Sequence, residues 1–403
     1  MPESPYPLLS VDDARHVVLA HAPRLTAVHL RLGQLPGRIL AEDIVARAAI
    51  PPFAAAAKDG YAVVAADGAG WRHLAGEQMA GYVADLRVEP GSVVKITTGA
   101  PLPPGADAVV MVEETDERDG RVEIRAAVTA GADVRRVGSD LASGQLALAA
   151  GYRIGPAEVG LLASLGHTAV LAYPAPRVAV LSTGDELREP GESVGPGQIR
   201  DSNRFSLMAA VHEAGGEAID LGVARDRRGE LADKVMAGLR AADALVTSGG
   251  VSMGQLDLLK PLLAMQGTVH FGRVNMKPGK PLTFATMAGK PVFALPGFPV
   301  SSLVSFELFV RPALRVMQGD AADQRPQVTV HVDHDVHHDP QRWEFVRATV
   351  RRDGEVLRAT TTGSQSSGRL LSLVGANALL QLPPGAGTAT AGSPVTALLL
   401  AAV

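Results

Sequence analysis

The pattern of apolar and polar positions divides the chain into three regions. Between Arg177 and Gln318, short apolar runs such as RVAVLS and ALVTS alternate with helical patterns such as ELADKVMAGLRAA. Strands that alternate with helices predict a doubly wound α/β layer. The regions on either side show short alternating runs that are typical of β-strands, among them VVKITT, AVVMVEET, VTVHVD and EFVRATVRR. We therefore expect a central α/β domain flanked by smaller β domains.

Local signals predict several individual elements. Ser10 and Asp13 form a capping pattern before a helix that runs to about Ala22. Asp119-Gly120 between two strand patterns predicts a hairpin. Further predictions are a strand over 27–32, helices over 37–43 (GRILAED) and 156–165, and a single helix over 301–318.

The resulting domain prediction has four parts. A chain of 403 residues exceeds what one core usually holds, so several domains are expected. We predict a discontinuous helical and extended domain (1–47 and 138–173) that is interrupted by an inserted β domain (48–137). An α/β domain (174–320) and a C-terminal β domain (325–403) follow.

Composition excludes several classes of function. The net charge of −4 argues against a nonspecific nucleic-acid binder, which needs a basic excess. With no cysteine, the chain has no disulfide, no thiolate zinc site and no cysteine nucleophile. No apolar run reaches the roughly 18 residues that a membrane span needs, and MPESPYPLLSVDD lacks the basic start of a signal peptide. We expect a cytoplasmic protein that binds neither nucleic acid nor membrane.

The candidate chemistry gathers at one edge of the predicted sheet. Ligands of doubly wound folds lie beyond the carboxyl ends of the strands. The loops expected there are STGDE, SGGVS, NMKPGK and LPGFP, and they contain most of the polar candidates. The convergence of these loops is stronger evidence for a ligand site than any single motif. Serine-hydrolase elbows, Walker lysine loops and H-E-x-x-H motifs are absent from the sequence.

The SGGVS loop is the first candidate for an anion site. Gly249 and Gly250 follow a buried strand, and paired glycines at such a turn leave backbone N–H groups bare. The alternative is an ordinary tight turn, and for the glycines alone it is the better interpretation. Lys277, Lys280 and Asp257 change the balance, because two cations and a carboxylate suit a phosphate or oxyanion with a divalent metal.

Carboxylates in loops are the second candidate, as ligands of a hard cation such as Mg²⁺. Some have a structural alternative, because Asp185, Asp201 and Asp226 precede predicted helices and fit helix caps. Glu186 and Asp257 are the carboxylates least readily explained in that way. The histidines at 331, 334, 337 and 338 fit surface positions better than a zinc site.

Six further segments, in chain order, carry a resemblance to a known family. They are TGAPLPPGADAVVM, STGDEL, SGGVSMGQLD, KPGKP, LPGFPVS and TTGSQSSGRLLSLVGANALLQLPPG, accompanied by KDGYAV and RRVGSD. Together they resemble the molybdopterin molybdenumtransferase family, which includes MoeA and the gephyrin E domain. The resemblance covers the chain from about residue 8 onward. It implies elongated homodimers of four-domain subunits with a C-terminal β-barrel, and an active site in a cleft shared between subunits.

The resemblance also implies an activity. Family members take adenylylated molybdopterin and molybdate, release AMP with the help of a divalent cation, and leave molybdenum on the pterin dithiolene. For this chain it implies Mg²⁺ as cofactor, small-molecule substrates, a homodimer and a molybdopterin adenylyltransferase as candidate partner.

Site residues follow by position. The resemblance implies catalytic carboxylates at Glu186, Asp257, Asp226, Asp59 and Asp140, with Glu186 and Asp257 as metal ligands. It implies substrate-binding positions at Thr98, Ser248, Gly249, Gly250, Ser252, Lys277, Lys280, Pro296, Pro299, Arg135, Arg347 and Ser367.

Four positions depart from the family pattern. Lys58, Ser139, Gln255 and Phe298 stand where the family usually has methionine, glutamate, glutamate and asparagine. The departures make the cleft less negative. They favour one alternative, a non-catalytic molybdopterin-binding or scaffold protein. A second alternative, a molybdopterin adenylyltransferase, is disfavoured by the extra β domains.

Overall fold

Ser10 caps the first helix, α1 (Val11–Ala20), because its hydroxyl accepts the Asp13 N–H at 3.0 Å. This confirms the predicted cap. The structure is a computed structural model that describes residues 6–225, 227–250, 258–322 and 324–403. The chain divides into two units, one of residues 1–41, 153–155 and 169–403, the other of residues 42–152 and 156–168. The four domain boundaries proposed from the sequence stay a prediction.

The segment GRILAED is not helical, so that prediction is wrong. Gly37 has a φ of +79°, a conformation that ends rather than continues a helix. Ile39 and Leu40 form antiparallel bridges to Arg153 and Ala172. Tertiary pairing has therefore overridden a local pattern that favours helix. The same unit contains β1 (Leu8–Leu9) and β2 (Val28–Arg31).

The unit of residues 42–152 and 156–168 is mostly β-structure, as predicted. Its main sheet has six strands in the order β8-β5-β7-β6-β10-β9. Asp119 and Gly120 both have positive φ between β9 and β10, which confirms the hairpin. Its elements are β3 (Ile44–Val45), β4 (Ala55–Ala56), β5 (Gly60–Val63), β6 (Gly70–Gln78), β7 (Ser92–Ile96), β8 (Ala108–Met111), β9 (Thr115–Arg118), β10 (Arg121–Ile124), β11 (Val134–Arg135), β12 (Leu146–Leu148) and α2 (Pro156–Ser164).

The α/β layer has the predicted doubly wound form. Its strands lie in the order β17-β14-β18-β23-β22-β19, of which the first four are parallel. The strands are β14 (Arg177–Thr183), β17 (Glu217–Ala224), β18 (Ala244–Ser248), β19 (Thr268–Phe271), β22 (Thr283–Met287) and β23 (Lys290–Leu295). The helices are α3 (Asn203–Glu213), α4 (Arg228–Ala241) and α5 (Leu259–Gln266). Short strands complete the region: β13 (Ala169–Ala172), β15 (Leu187–Arg188), β16 (Ile199–Arg200), β20 (Arg273–Val274) and β21 (Met276–Lys277).

The predicted helix over 301–318 begins earlier and contains a wider turn. It consists of α6 (Pro299–Ser305), a π-helical segment (Phe306–Val310) and α7 (Arg311–Met317). Pro312 has no N–H to donate, so a regular ladder of hydrogen bonds is interrupted there. No helix in these ranges or elsewhere in the described chain is long and apolar enough to cross a membrane.

The C-terminal region is a closed β-barrel. β26 pairs with both β27 and β28, which closes the ring β26-β27-β24-β30-β28. β21 adds to β26 in parallel at the rim of this sheet. The barrel confirms the predicted C-terminal fold. Its elements are β24 (Gln327–Val332), β25 (Val336–His337), β26 (Trp343–Asp353), β27 (Val356–Thr361), β28 (Ala378–Leu382), β29 (Thr388–Ala389) and β30 (Pro394–Leu399).

Gly249 allows the backbone after β18 to approach its neighbour. It has a φ of +89°, and a Cβ there would lie 2.6 Å from the Thr183 carbonyl oxygen. Its N–H donates to the Leu295 carbonyl at 3.1 Å. The ends of β14, β18 and β23 therefore meet with no room for a side chain.

We expect Gly249→Ala to lower the melting temperature more than Gly289→Ala. Gly289 also has a positive φ, +73°, but a Cβ there meets nothing within 4 Å. Both variants bear the left-handed penalty of about 1–2 kcal/mol, and only Gly249→Ala adds a clash of about 1–3 kcal/mol. Thermal melts followed by circular dichroism measure the difference. Equal melting temperatures would show that the close approach at Gly249 is not required.

Candidate functional site

The candidate site lies where the order of the strands reverses. β14 has β17, which follows it in the chain, on one side and β18, which follows β17, on the other. Outside the carboxyl ends of two such strands the connections diverge and leave a crevice. β14 ends at Thr183 and β18 at Ser248, so the STGDE and SGG loops border this crevice, as predicted.

Asn203 ties the loops of the crevice together. Its side-chain amide donates to the Ser248 Oγ and to the Gly297 carbonyl, both at 2.7 Å. Thr183 Oγ1 donates to the Ser248 carbonyl at 3.4 Å. Asn203 is not among the site residues predicted from the sequence, which therefore missed this bridge. A polar residue at the start of a helix that faces the rim was the available signal.

The Ser248 hydroxyl and the Gly249 N–H already form hydrogen bonds within the protein. Ser248 is buried and its hydroxyl accepts from Asn203, and the Gly249 N–H is taken by Leu295. The expectation of a bare N–H at Gly249 is therefore wrong. Gly250 has a φ of +67° and continues the turn.

Glu186 lies exposed in the loop after β14. Its carboxylate occupies the space that a Cβ on Gly184 would fill. Across residues 6–225, 227–250, 258–322 and 324–403, no hydrogen bond or ion pair to this carboxylate is found. Its backbone carbonyl accepts the Ile199 N–H at 3.0 Å, which fixes the loop. Glu186 is therefore held in place through its backbone while its charge stays available.

Asp201 has the structural role that the sequence left open. It is buried, and its Oδ1 accepts from the Arg204 N–H at 3.2 Å, as a helix cap does. Arg204 is buried as well and forms ion pairs with Asp201, Asp220 and Glu189. Burial alone lowers the pKa of Arg204, but the bonds to the three carboxylates outweigh it and raise the pKa. Because only β15 separates Glu189 from Glu186, this cluster anchors the Glu186 region to α3.

The two predicted lysines differ in their surroundings. Lys277 forms an ion pair with the buried Glu344, 3.1 Å from Nζ to Oε1. Lys280 is exposed, and none of the described residues pairs with its ammonium group. Between them Gly279, with a φ of +104°, packs so that a Cβ would lie 2.7 Å from the Ser305 Oγ of α6. Only Lys280 is therefore fully available to a ligand.

A loop of the barrel contacts the start of α6. Pro299 is the first residue of α6, and the next N–H, that of Val300, donates to the Ser367 carbonyl at 3.1 Å. Pro296 follows β23 directly. Phe298 is 63% exposed. The structure thus places Ser367 beside the start of α6 at Pro299, with Pro296 three residues earlier in the chain.

Arg347 is wholly buried in the barrel. Its Nε donates to the Ser372 Oγ at 3.2 Å and its Nη2 to the Ser366 carbonyl at 3.3 Å. Burial lowers the pKa of Arg347 to about 10, although the charge of Glu344 acts in the opposite direction. The guanidinium therefore supports the 362–372 loop rather than a solvent-facing surface.

The unit of residues 42–152 and 156–168 joins its four predicted site residues into two pairs. Asp59 Oδ1 accepts the Thr98 N–H at 2.6 Å and the Thr98 Oγ1 at 2.9 Å, and both bonds lower the pKa of Asp59. Arg135 forms an ion pair with Asp140, which also accepts from the Ser139 Oγ at 3.0 Å. Both carboxylates are exposed.

Three predicted site residues, Asp226, Ser252 and Asp257, lie outside the described residues. Among the residues that are described, no group of three or more histidines and carboxylates is arranged to hold a metal ion. His331, His334 and His337 each pair with a different carbonyl or hydroxyl group, at Gly392, Thr361 and Thr388.

Family models match along most of the chain. The MoeA N-terminal region (domains I and II) matches residues 9–166, a probable molybdopterin-binding domain matches residues 179–316, and the MoeA C-terminal region (domain IV) matches residues 329–400. The molybdopterin molybdenumtransferase of Haemophilus influenzae is 34% identical over 400 residues, 96% of this chain and 98% of that protein. The chain belongs to the molybdopterin molybdenumtransferase family.

Other members of the family agree in sequence and in fold. Molybdopterin molybdenumtransferase 2 of Mycobacterium tuberculosis is 36% identical over 93% of this chain and 95% of that protein. Gephyrin of Dictyostelium discoideum is 39% identical over 98% of this chain, which spans 63% of the length of gephyrin. The molybdopterin biosynthesis MoeA protein of Pyrococcus horikoshii has a TM-score of 0.83 at 30% identity, covering 98% of this chain and all of that one. The molybdopterin molybdenumtransferase family consists of transferases of molybdenum cofactor biosynthesis, which places the chain in that process.

Thr98→Val is expected to raise the pKa of Asp59. The substitution removes the Oγ1–H donor and leaves the backbone N–H, so part of the lowering remains. Because the folded pKa of Asp59 lies below its unfolded value of about 3.9, its stabilising contribution is present above that value and is lost as pH falls through the folded pKa. An NMR titration of the Asp59 carboxyl carbon measures the change, with Asp140 as internal reference. An unchanged Asp59 pKa would contradict the hydrogen bond from the Thr98 hydroxyl to Asp59.

Proposed function

We propose that this chain inserts molybdate into adenylylated molybdopterin with Mg²⁺-dependent release of AMP. The observation that carries the proposal is the crevice between β14 and β18, where the backbone is fixed by protein bonds and the Glu186 carboxylate is left available. A ligand-binding crevice needs this combination of rigid loops and unpaired charge. Family membership supplies the reaction class. The available carboxylate suits its cation, and the lysines suit its anionic substrates.

Mg²⁺ fits the donor set in this crevice. Mg²⁺ is usually bound by one or two carboxylates, with water and substrate phosphate completing its shell. Glu186 supplies one such carboxylate, and Asp257, outside the described residues, would supply the second. When bound, Mg²⁺ would neutralise charge on the phosphoanhydride. The Glu186 carboxylate lies beside Gly184, directly after β14, and the bonds of Ile199 and of the Arg204 cluster fix this region.

The cations around the KPGK turn suit anionic substrates. Molybdate is a dianion and the phosphoanhydride carries further negative charge, so binding both requires fixed positive charge. Lys280 offers an ammonium group with no partner among the described residues. Lys277 offers a second one, already oriented by Glu344.

Asp226, which lies outside the described residues, would line the adenylate region.

A homodimer completes the proposed site. Asp59, Thr98, Arg135 and Asp140 would come from one subunit and face the crevice of the other, as the family resemblance implies. Their pairing within one unit holds both carboxylates in fixed positions at the surface. A molybdopterin adenylyltransferase in the cytoplasm would supply the adenylylated substrate.

Glu186→Gln is expected to fold normally and lose most Mg²⁺-dependent AMP release. The amide keeps the shape of the side chain but removes the charge that holds the cation, and loss of such a ligand costs roughly a hundredfold in rate. Release of AMP from adenylylated molybdopterin in the presence of molybdate is the measurement. Glu192→Gln is the matched control, since Glu192 is an exposed carboxylate of the following turn. Equal AMP release by both variants would contradict the proposal. Binding of the substrate without AMP release by the unaltered protein would favour a scaffold function.

A mixed-subunit experiment tests the shared cleft. Sedimentation should give a mass of twice 41.8 kDa. Asp59→Asn and Glu186→Gln homodimers should both be inactive, whereas heterodimers place both changes in one cleft and leave the other intact. Random mixing should therefore restore about a quarter of full activity. A monomer, or a mixture without recovery, would exclude the shared cleft.

A further inference from the structure

Glu344 is a buried carboxylate beside the proposed anion site. It lies on β26 and is 3% exposed. Its Oε1 is 3.1 Å from the Lys277 Nζ, and its Oε2 accepts the Asp339 N–H at 2.8 Å. A buried charge is costly unless it is paired and hydrogen-bonded. Lys277 is therefore the cation that compensates Glu344.

The backbone fixes this pair in register. β21 runs parallel to β26, with Lys277 opposite Glu344. On the other side of the turn, Gly279 packs against α6 at Ser305. The Lys277 side chain nevertheless remains 43% exposed. Its ammonium group is therefore held at a defined position and is still within reach of a ligand.

Glu344 also acts on a second cation. Arg347, three residues further along β26, is wholly buried, and none of the described carboxylates lies within ion-pair distance of it. The charge of Glu344 favours the protonated form of Arg347. One carboxylate thus acts on two cations, of which only Lys277 is exposed to an incoming anion.

We infer that Glu344 is a positioning residue of the proposed oxyanion site, which holds the Lys277 ammonium in place and limits the positive charge that the oxyanion meets. The inference deepens the proposed function and rests on it. It assigns the C-terminal barrel a part in substrate handling through a residue that does not itself touch the substrate. It also predicts two opposite effects when the charge of Glu344 is removed.

Glu344→Gln should separate binding from turnover. The amide still accepts the Asp339 N–H but no longer neutralises Lys277, so inorganic molybdate should bind about tenfold more tightly at low salt. The freed ammonium is no longer held in place, so kcat should fall by about tenfold or more. Titration calorimetry with sodium molybdate and steady-state AMP release measure the two effects. Glu344→Asp, which restores the charge, should return the molybdate Kd toward that of the unaltered protein.

A double-mutant cycle tests whether Glu344 acts through Lys277. In a Lys277→Ala background, Glu344→Gln should have little further effect on the molybdate Kd, because the paired group is gone. In a Lys280→Ala background its full effect should remain, since Lys280 is not paired with Glu344. If Glu344→Gln does not fold, Glu344→Ala, which also removes the charge, enters the same cycle.

Three results would overturn the inference. They are additive effects of Glu344→Gln and Lys277→Ala, a lower melting temperature with unchanged Kd and kcat, or no molybdate binding by the unaltered protein. Coupling in molybdate binding without any AMP release would support the positioning role while contradicting the proposed reaction. The two proposals therefore fail separately.

Discussion

The hydrogen bonds of Asn203 are the constraint on which the candidate site depends. One buried amide group satisfies acceptors at the end of β18 and on the loop after β23, and Gly249 lets the backbone after β18 reach β14 without a side chain between them. Buried polar groups without partners are costly, so three loops that meet here must complete one another's hydrogen bonds. The crevice is consequently shaped by the backbone and by an amide. The charged side chains around it need not carry the fold.

Most of the predicted charged groups are in fact already paired. Lys277, Arg135 and Asp140 form ion pairs, Asp59 accepts two hydrogen bonds from Thr98, and Arg347 is enclosed by the barrel. Within the described chain this leaves Glu186 and Lys280 as the charges that a ligand meets without displacing a partner. An active site with a few available charges on a rigid frame of paired ones needs little reorganisation when an anion arrives. These ion pairs therefore help to preorganise the site for an anion.

The sequence predicts the layers of the fold. It misses places where pairing with distant segments determines the local structure. The alternation of strands and helices over 177–318 indicates the doubly wound sheet because each element carries its own periodicity. GRILAED fails because Ile39 and Leu40 pair with Arg153 and Ala172, far along the chain. The 301–318 helix contains a π segment before Pro312, whose missing N–H is a local signal that the prediction overlooked. Long-range pairing, by contrast, leaves no local signal.

Long-range pairing also explains why the two lysines of the KPGK turn differ. In the sequence Lys277 and Lys280 are equivalent cations on either side of Pro-Gly. In the fold, the parallel register of β21 with β26 places Lys277 opposite a buried carboxylate 67 residues away, whereas Lys280 stays in solvent. Residue type thus identifies which groups are able to meet an oxyanion. Register determines which of them is held in place and which is free. A positioning residue such as Glu344 becomes visible only when the strand that carries it is seen beside the loop it restrains.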